Sequence, residues 1–380
     1  MRSVVILQHR LLHYRIELFE RLRAECAKRD IKLDLVHGKA SKKEKIRSDE
    51  GSIPWASEVK NIYLNIAGID LLWQPYPRHL RNSNLIVLMQ ENKQISNYRW
   101  IFGRLWSKRK VAYWGHGRNF QSSAPSGIRE YWKSWLIGKI DWWFAYTEMT
   151  SDILTGSGYP VERITVLNNA IDSAGFKGDL ASWLELDVKR ERDLLGLSPS
   201  SRVGIFCGSL YPDKRIDILL ESADLIRKQV GDFHLLVLGD GPSMPQLKEA
   251  SESRPWLHLL GVRKGREKAL YFRMSDVMLN PGLVGLHIVD AFCAALVMFT
   301  TEGAKHSPEV VYLKHMRNGV ITADSAEAFG QAVTSVLLDK SLLASLKSAS
   351  LAESNLYTLD NMISRFSDGI ELALNGVRQA

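Results

Sequence analysis

Cysteine is scarce in this sequence and long apolar runs are missing, and both absences narrow what the chain can be. Three cysteines stand among 380 residues, Cys26, Cys207 and Cys293, far apart and without a CxxC or any metal-type spacing. So sparse and odd a set argues against a disulfide framework or a zinc site and for a reducing compartment. No uninterrupted apolar run approaches the roughly 20 residues that a membrane-spanning helix needs. The N-terminal run Val4–Leu7 gives way at once to His9 and Arg10, which is no signal peptide. The chain is therefore expected in the cytosol, or on a membrane from the cytosolic side. No GxGxxG follows the first apolar strand, which weakens a dinucleotide dehydrogenase. No GxxxxGKS/T occurs either, so the P-loop is out.

What is there reads as two α/β halves. A chain of 380 residues is too long for one ordinary core. Short apolar strands alternate with amphipathic helices: strand Ser3–Gln8, helix Tyr14–Arg29, strand Lys32–His37, a charged loop Lys39–Gly51, then strands at 84–89, 110–114, 141–145 and 164–167. Strand, helix and strand at this spacing make a parallel βαβ unit. Residues 173–200 read as a linker region with one charged helix, ending in Gly196-Leu197-Ser198-Pro199-Ser200-Ser201. A second series restarts with strands at 203–206, 235–238, 257–260, 277–279 and 297–300. The expected domains are 1–172, the linker 173–200, and 201–358, with a C-terminal helix at about 360–380 packing back on the first domain. His306-Ser307-Pro308-Glu309 has the form of a helix start, Ser at the N-cap, Pro at N1 and an acid in the first turn, with Gly319 as its stop.

Charge is uneven. Residues 1–178 hold 28 Lys+Arg against 17 Asp+Glu, while 179–380 hold 22 against 25. Residues 101–140 carry eight basic side chains and one acid, Glu130, together with Trp106, Trp114, Trp132 and Trp135, and Trp142 and Trp143 follow. Basic residues interleaved with indoles suit an anionic membrane surface through 101–143; the alternative is a solvated charged face over a Trp-rich core. No helix-turn-helix, zinc finger or RNP-like segment supports nucleic acid as the partner.

Chemistry concentrates at strand ends, where open α/β sheets place ligands. Asn280-Pro281-Gly282-Leu283-Val284-Gly285-Leu286 is a glycine loop between a buried strand and a helix, and such loops leave backbone N–H groups for an anion. Asp290 falls on the apolar stripe of that helix with Leu286, Cys293 and Val297. A carboxylate there is costly unless something binds it, whether a neighbouring basic or hydroxyl side chain or a ligand. Gly208-Ser209-Leu210-Tyr211-Pro212-Asp213-Lys214 follows another strand. Amides plus Lys214 for a diphosphate, with Asp290 for ribose hydroxyls, describe a nucleotide-sugar site. In the first half His116 stands at a strand end between Gly115 and Gly117, room enough for a ligand to approach.

The second half, over about 203–322, resembles the retaining GT-B glycosyltransferases of family four. The first half is similar more loosely, through Leu12-His13-Tyr14-Arg15, Trp114-Gly115-His116-Gly117 and Asn169-Ala170-Ile171-Asp172. The resemblance implies an α/β GT-B fold, two Rossmann-like domains facing across a cleft, and a hexosyltransferase-type enzyme. It would use a UDP- or GDP-linked sugar as co-substrate, with no other cofactor and no metal. It implies donor contacts from Gly208, Ser209, Lys214, Arg215, Asp240, Gly261, Val262, Gly282, Gly285, Leu286 and Asp290. Catalytic roles fall to Lys214, to His116 at the donor sugar, and to Glu309. Glu91, Asn92, Tyr14 and Arg15 lie on the acceptor side.

Two departures stand out. Ser209 occupies the place of the family's second phosphate-binding Arg, with Arg215 as the substitute at hand. Gly282 replaces the first of the family's two glutamates, and the sequence resembles a sub-group carrying PGxVGL and HSPE, in which Glu309 supplies the missing carboxylate. The expected acceptor is a glycan or lipid-linked oligosaccharide of bacterial surface-polysaccharide assembly. That puts the protein in the cytoplasm or peripherally on the cytoplasmic face of the inner membrane. The rival readings are a catalytically inactive GT-B scaffold that binds a nucleotide sugar or partner, and a GT-B sugar-nucleotide epimerase.

Overall fold

A computed structural model describes residues 1–40, 50–66, 69–91, 93–117 and 138–376. The chain divides into two compact units, Met1–Asp172 with Leu359–Ala380, and Ser173–Thr358.

In the first unit the strands are β1 (Arg2–Gln8), β2 (Ile31–His37), β3 (Ser57–Glu58), β4 (Ile62–Ile66), β5 (Ile69–Trp73), β6 (Leu85–Met89), β7 (Lys110–Gly115), β8 (Trp142–Ala145) and β9 (Ile164–Val166). Seven of them form a parallel sheet in the order β3-β2-β1-β6-β7-β8-β9, and β4 and β5 stand apart as an antiparallel hairpin. The central strands β1, β6, β7 and β8 are mainly apolar on both faces because both are covered. Helix Ile16–Ala27 turns Leu18, Phe19, Leu22 and Cys26 inward, and helix Leu359–Asn375 brings Met362, Phe366 and Ile370 onto the same face. Trp100, Ile101, Leu154 and Tyr159 cover the opposite one.

The second unit has β10 (Arg202–Cys207), β11 (Phe233–Leu238), β12 (Leu257–Gly261), β13 (Val277–Leu279), β14 (Val297–Thr301) and β15 (Gly319–Thr322), all parallel in the order β12-β11-β10-β13-β14-β15. The order runs outward from β10 one way and from β13 the other. That switch point is where a doubly wound sheet opens a crevice at its carboxyl edge. The first unit has the same reversal between β1 and β6.

Several expectations change. Residues 173–200 are no linker: helices Ser173–Ala181 and Glu185–Leu194 belong to the second unit, and Phe176 packs edge-on against Phe272. The helix expected from Ser307 is a 3-10 turn, Pro308–Tyr312, and Gly319 opens β15 instead of capping a helix. A Cβ at Gly319 would sit 2.7 Å from the Met298 carbonyl, so its place is set by the close approach of β14. The β4–β5 hairpin was not expected at all. Trp114, Trp142 and Trp143 are core residues, so they cannot lie on a membrane, whereas Trp106 is 83% exposed. Trp132, Trp135 and most of the charged loop 39–51 lie outside the described residues. Among the described residues no helix is long and apolar enough to cross a membrane, and no group of three His, Cys, Asp or Glu is set to hold a metal.

Candidate active site

Two loops meet at the switch point of the second unit, 208–215 after β10 and 280–286 after β13. They touch so closely that one must carry glycine. A Cβ on Gly282 would lie 2.2 Å from the Asp213 carbonyl oxygen and 2.5 Å from Lys214 Cα. The Leu283 N–H donates to that same Asp213 carbonyl at 2.9 Å. Lys214 ends the 3-10 turn Pro212–Lys214 and is 7% exposed. Its ammonium donates to the Leu283 carbonyl, and burial pushes its pKa down to about 8. The neighbouring Arg215 takes a left-handed backbone, φ 56°, and its guanidinium pairs with Asp324 and donates to Thr301 Oγ1 at 3.1 Å. Asp324 is held below the usual carboxylate range chiefly by that hydrogen bond. Arg215 therefore has an acidic partner already.

The carbonyls of Pro281, Gly282, Leu283 and Val284 turn into the protein. Thr301 Oγ1 reaches Pro281 O at 2.8 Å, Asn280 Nδ2 reaches Gly282 O and Leu283 O at 3.0 and 3.1 Å, and the Ser307 N–H reaches Val284 O at 3.0 Å. The Val284 N–H donates to His306 Nδ1 at 3.2 Å, so the ring proton sits on Nε2, which donates to the Thr301 carbonyl at 2.7 Å. His306 is thus a neutral clip between β14 and the loop, with burial lowering its pKa. The N–H groups of Gly285 and Leu286 have no acceptor among the described residues. Two unpaired amides next to a buried ammonium are a combination that can receive an anion.

Helix His287–Cys293 follows. Asp290, 5% exposed, holds the Lys268 ammonium at 2.9 Å, and that ammonium lies 4.3 Å from the centre of the Phe176 ring. Burial raises the Asp290 carboxyl against the pull of Lys268. The partner that the apolar stripe demanded is therefore a lysine on helix Gly265–Arg273. His287 has a buried Nε2 with no partner among the described residues, and burial followed by the charges of Lys214 and Lys268 drives its pKa well down.

The remaining donor-side residues form a row along the sheet edge. The Gly208 N–H donates to Leu238 O, the Gly239 N–H to Gly261 O, and the Leu210 N–H to Asp240 O at 3.0 Å. A Cβ on Gly239 would come within 1.9 Å of the Gly208 carbonyl, which explains the glycine. Asp240 Oδ1 accepts from its own turn at Gly241, Ser209 is exposed, and Val262 is 57% exposed beyond β12. Glu309 is buried in the 3-10 turn after His306.

The first unit gathers a second group after β1, β6 and β7. His116 lies edge-on to Tyr146 at 4.2 Å and its Nδ1 is buried without a partner among the described residues. Burial first, then the charge of Arg15, lowers its pKa to about 4 against the opposing pull of Glu91, so the ring is neutral. Arg15 is 5% exposed, its guanidinium 4.3 Å from the Trp114 ring and 5.5 Å from that of Tyr14, and it donates to Tyr146 OH at 3.3 Å. Gln90 grips Gly117 from both sides, accepting from its N–H at 2.7 Å and donating to its carbonyl at 3.1 Å. Glu91 meets His9 at 3.2 Å. Asn92 lies outside the described residues. Arg15, His116 and Glu91 are therefore brought together, as are Gly208, Lys214, Gly282, Gly285 and Leu286. Lys268, His287, His306, His9 and Gln90 were not expected as participants. Only His306 carried a sequence signal, its place beside Ser307-Pro308-Glu309.

Residues 201–339 match the family of glycosyl transferases group 1. That matched segment lies within the second unit, which is similar to this family there. A curated relative, the alpha-monoglucosyldiacylglycerol synthase of Acholeplasma laidlawii, is 29% identical over 122 residues, 30% of this chain. The match spans about a third of that relative's length, 31%. Solved structures align along the whole chain. A glycosyltransferase from Rickettsia africae superposes with a TM-score of 0.71 at 12% identity, covering 100% of this chain and 99% of that one. Alr3699/HepE of Anabaena, in complex with UDP, gives 0.69 at 14%, covering 98% and 100%. At such identities the likeness speaks for the fold, which is GT-B: two Rossmann-like units in one chain. The matched segment holds the β10 and β13 loops in their entirety.

Proposed function

We propose that this chain is a glycosyltransferase that moves a sugar from a UDP- or GDP-sugar to a glycan or lipid-linked acceptor, with retention and without a metal. The observation that carries the reading is the glycine loop: the unpaired N–H groups of Gly285 and Leu286 in the same loop whose Leu283 carbonyl receives the buried ammonium of Lys214. As the bond between the anomeric carbon and the diphosphate oxygen breaks, negative charge builds on the leaving diphosphate. Those donors are fixed in advance of that charge, the electrostatic term that usually dominates such catalysis. The acceptor hydroxyl forms the new bond and its proton goes to the departing diphosphate. In the first unit the neutral His116, with an unpartnered Nδ1, is the candidate to hydrogen-bond a sugar hydroxyl.

Support for the donor class comes from the Anabaena neighbour, whose structure contains UDP. Support for a lipid-borne acceptor comes from the Acholeplasma relative, a synthase of a glucosylated diacylglycerol. A role in bacterial surface-polysaccharide assembly, at the cytoplasmic face of the membrane, fits the same chemistry. One feature favours the inactive-scaffold reading: Ser209 has no charge and Arg215 is held by Asp324, which leaves the phosphate loop after β10 with Lys214 as its cation.

The test is a thermal-shift panel of UDP, GDP, CMP and NAD on the wild type and Lys214→Ala. One nucleoside diphosphate at 100 times its dissociation constant adds about 2.7 kcal/mol of stability, and the variant is expected to lose most of that response. A response to NAD alone, or to nothing, overturns the reading. Binding without any consumption of the matching sugar nucleotide, with or without acceptor, leaves the scaffold.

A further inference from the structure

The β4–β5 hairpin of the first unit has one face anchored and one face bare. On the anchored side Tyr63 donates to the Lys39 carbonyl at 2.7 Å, Asn65 faces Asp70 across the ribbon, and Leu72 is buried. Side chains alternate along a strand, so Ile62, Leu64 and Ile66 share the other side, 49%, 46% and 58% exposed. Leu71 and Trp73 stand directly across from Leu64 and Ile62. Five apolar side chains thus line one open ribbon.

The base of that ribbon meets concentrated positive charge. The Arg99 guanidinium lies 5.9 Å from the Trp73 ring and 4.3 Å from the Trp100 ring. Arg109 covers the same Trp100 at 5.1 Å, and donates to the carbonyls of Ser83 and Arg81. Arg78, Arg81 and Lys108 are exposed close by in the chain. Among the described residues none of these five cations has a carboxylate within ion-pair reach; beside its own burial Arg99 feels the charge of Arg109, the opposing pull of the Tyr76 phenol, and the charge of Arg81. Trp106, 83% exposed, follows on the chain from the helix that carries Arg99.

We propose that the bare face of the β4–β5 hairpin and the adjoining Arg81, Arg99 and Arg109 form a docking surface for an anionic lipid bilayer. The apolar side chains enter the acyl boundary and the guanidinium groups take headgroup phosphates. A nucleic acid would satisfy the cations and leave Ile62, Leu64 and Ile66 in water. A second copy of the chain would bury the apolar face and set like charges against each other. An anionic bilayer offers phosphate and hydrocarbon within one layer, the combination this surface presents. Of the 101–143 segment only Arg109 belongs to this surface; Trp114, Trp142 and Trp143 are core. The inference deepens the lipid-linked acceptor reading, but the binding itself needs no turnover.

The experiment is co-sedimentation of the full chain with vesicles of equal parts phosphatidylglycerol and phosphatidylcholine, and with phosphatidylcholine alone. Binding is expected with the first, at low salt, and is expected to fall away at about 1 M salt, where the screening length is about 3 Å. Arg81→Gln/Arg99→Gln/Arg109→Gln should lower the partition coefficient on the order of 100-fold, about 5-fold per charge. Ile62→Ser/Leu64→Ser/Ile66→Ser, at exposed positions, should abolish sedimentation while keeping the wild-type thermal response to nucleotide, which shows that the chain is folded. Undiminished sedimentation of the serine variant overturns the proposal, as does equal binding to pure phosphatidylcholine. Duplex or single-stranded nucleic acid bound in preference to vesicles overturns it, and so does a wild-type dimer that the serine variant splits. Vesicle binding without any nucleotide response would sink the transferase reading and leave this surface standing. A nucleotide response without vesicle binding would do the reverse.

Discussion

Lys214 sits in a buried pocket that disfavours its charge, yet the proposed diphosphate site calls for that charge. Its pKa of about 8, below the ordinary lysine value because of burial, fixes the sign of a pH effect. In the free site the ammonium is lost as pH rises through 8, so nucleotide affinity should be flat below that pH and fall above it, toward tenfold per unit. Calorimetric titration with the stabilising nucleotide across neutral to alkaline pH checks this. Lys214→Met should bind more weakly at every pH and show no such slope. Asp290 and Lys268 offer a second test. Removing the carboxylate alone leaves a buried ammonium unpaired, a loss of about 3–5 kcal/mol. Adding Lys268→Met to Asp290→Ala should return part of it in urea unfolding, and a double variant no better than the single one would show the pair to be independent.

At the scale of the element, the glycine loop is held from three sides: Asp213 and Lys214 from the β10 loop, Thr300 and Thr301 from β14, and His306 from the segment after it. His306→Ala removes both the acceptor of the Val284 N–H and the donor to the Thr301 carbonyl. A cost of about 1–3 kcal/mol is expected for the groups left unsatisfied, together with weaker nucleotide binding, read by thermal shift with and without ligand. Gly282 yields a less intuitive outcome. Gly282→Glu would install the carboxylate that the family resemblance leads one to expect there, yet its Cβ would overlap the Asp213 carbonyl at 2.2 Å. The substitution should destabilise the chain and lower nucleotide affinity; a variant with raised transfer activity would contradict the geometry.

At the scale of the whole molecule, the chain leaves the first unit at Asp172 and returns to it at Leu359. The last helix is part of the first unit's core, with Phe366 at 5.0 Å from the Trp114 ring and 4.6 Å from Phe144, and Gly369 so close to Thr165 that a Cβ would come within 2.4 Å of its Oγ1. Ending the chain at Thr358 should therefore collapse the near-ultraviolet circular dichroism of Trp114, Trp142 and Trp143 and expose dye-binding apolar surface. The uneven charge also belongs to this scale. The excess of Lys and Arg lies in residues 1–178, and the membrane surface inferred above lies in the same part of the chain.

Most of the architecture was legible beforehand because β1, β2 and β6 to β14 are short, mainly apolar runs bounded by turns and separated by amphipathic helices, the central ones buried on both faces. The elements that escaped obey other rules. The β4–β5 hairpin is half exposed, so its apolar alternation has no core to point at. The turn Pro308–Tyr312 carries every local mark of a helix start and stops short, because its neighbour His306 is committed to the glycine loop and β15 claims Gly319. Residues 173–200 have the composition of a linker, yet Phe176 makes their first helix part of a core. Of the site, the sequence by itself determined the amide-rich loop at 280–286, Lys214, and the fact that a carboxylate at Asp290 needs a partner, since local chemistry demands each of these. Only the tertiary structure decided which partner that is, Lys268 on another helix, that Arg215 is taken by Asp324, and that Gly282 can carry no side chain. Those facts depend on which distant segments the reversal between β10 and β13 presses together, and no local pattern records that.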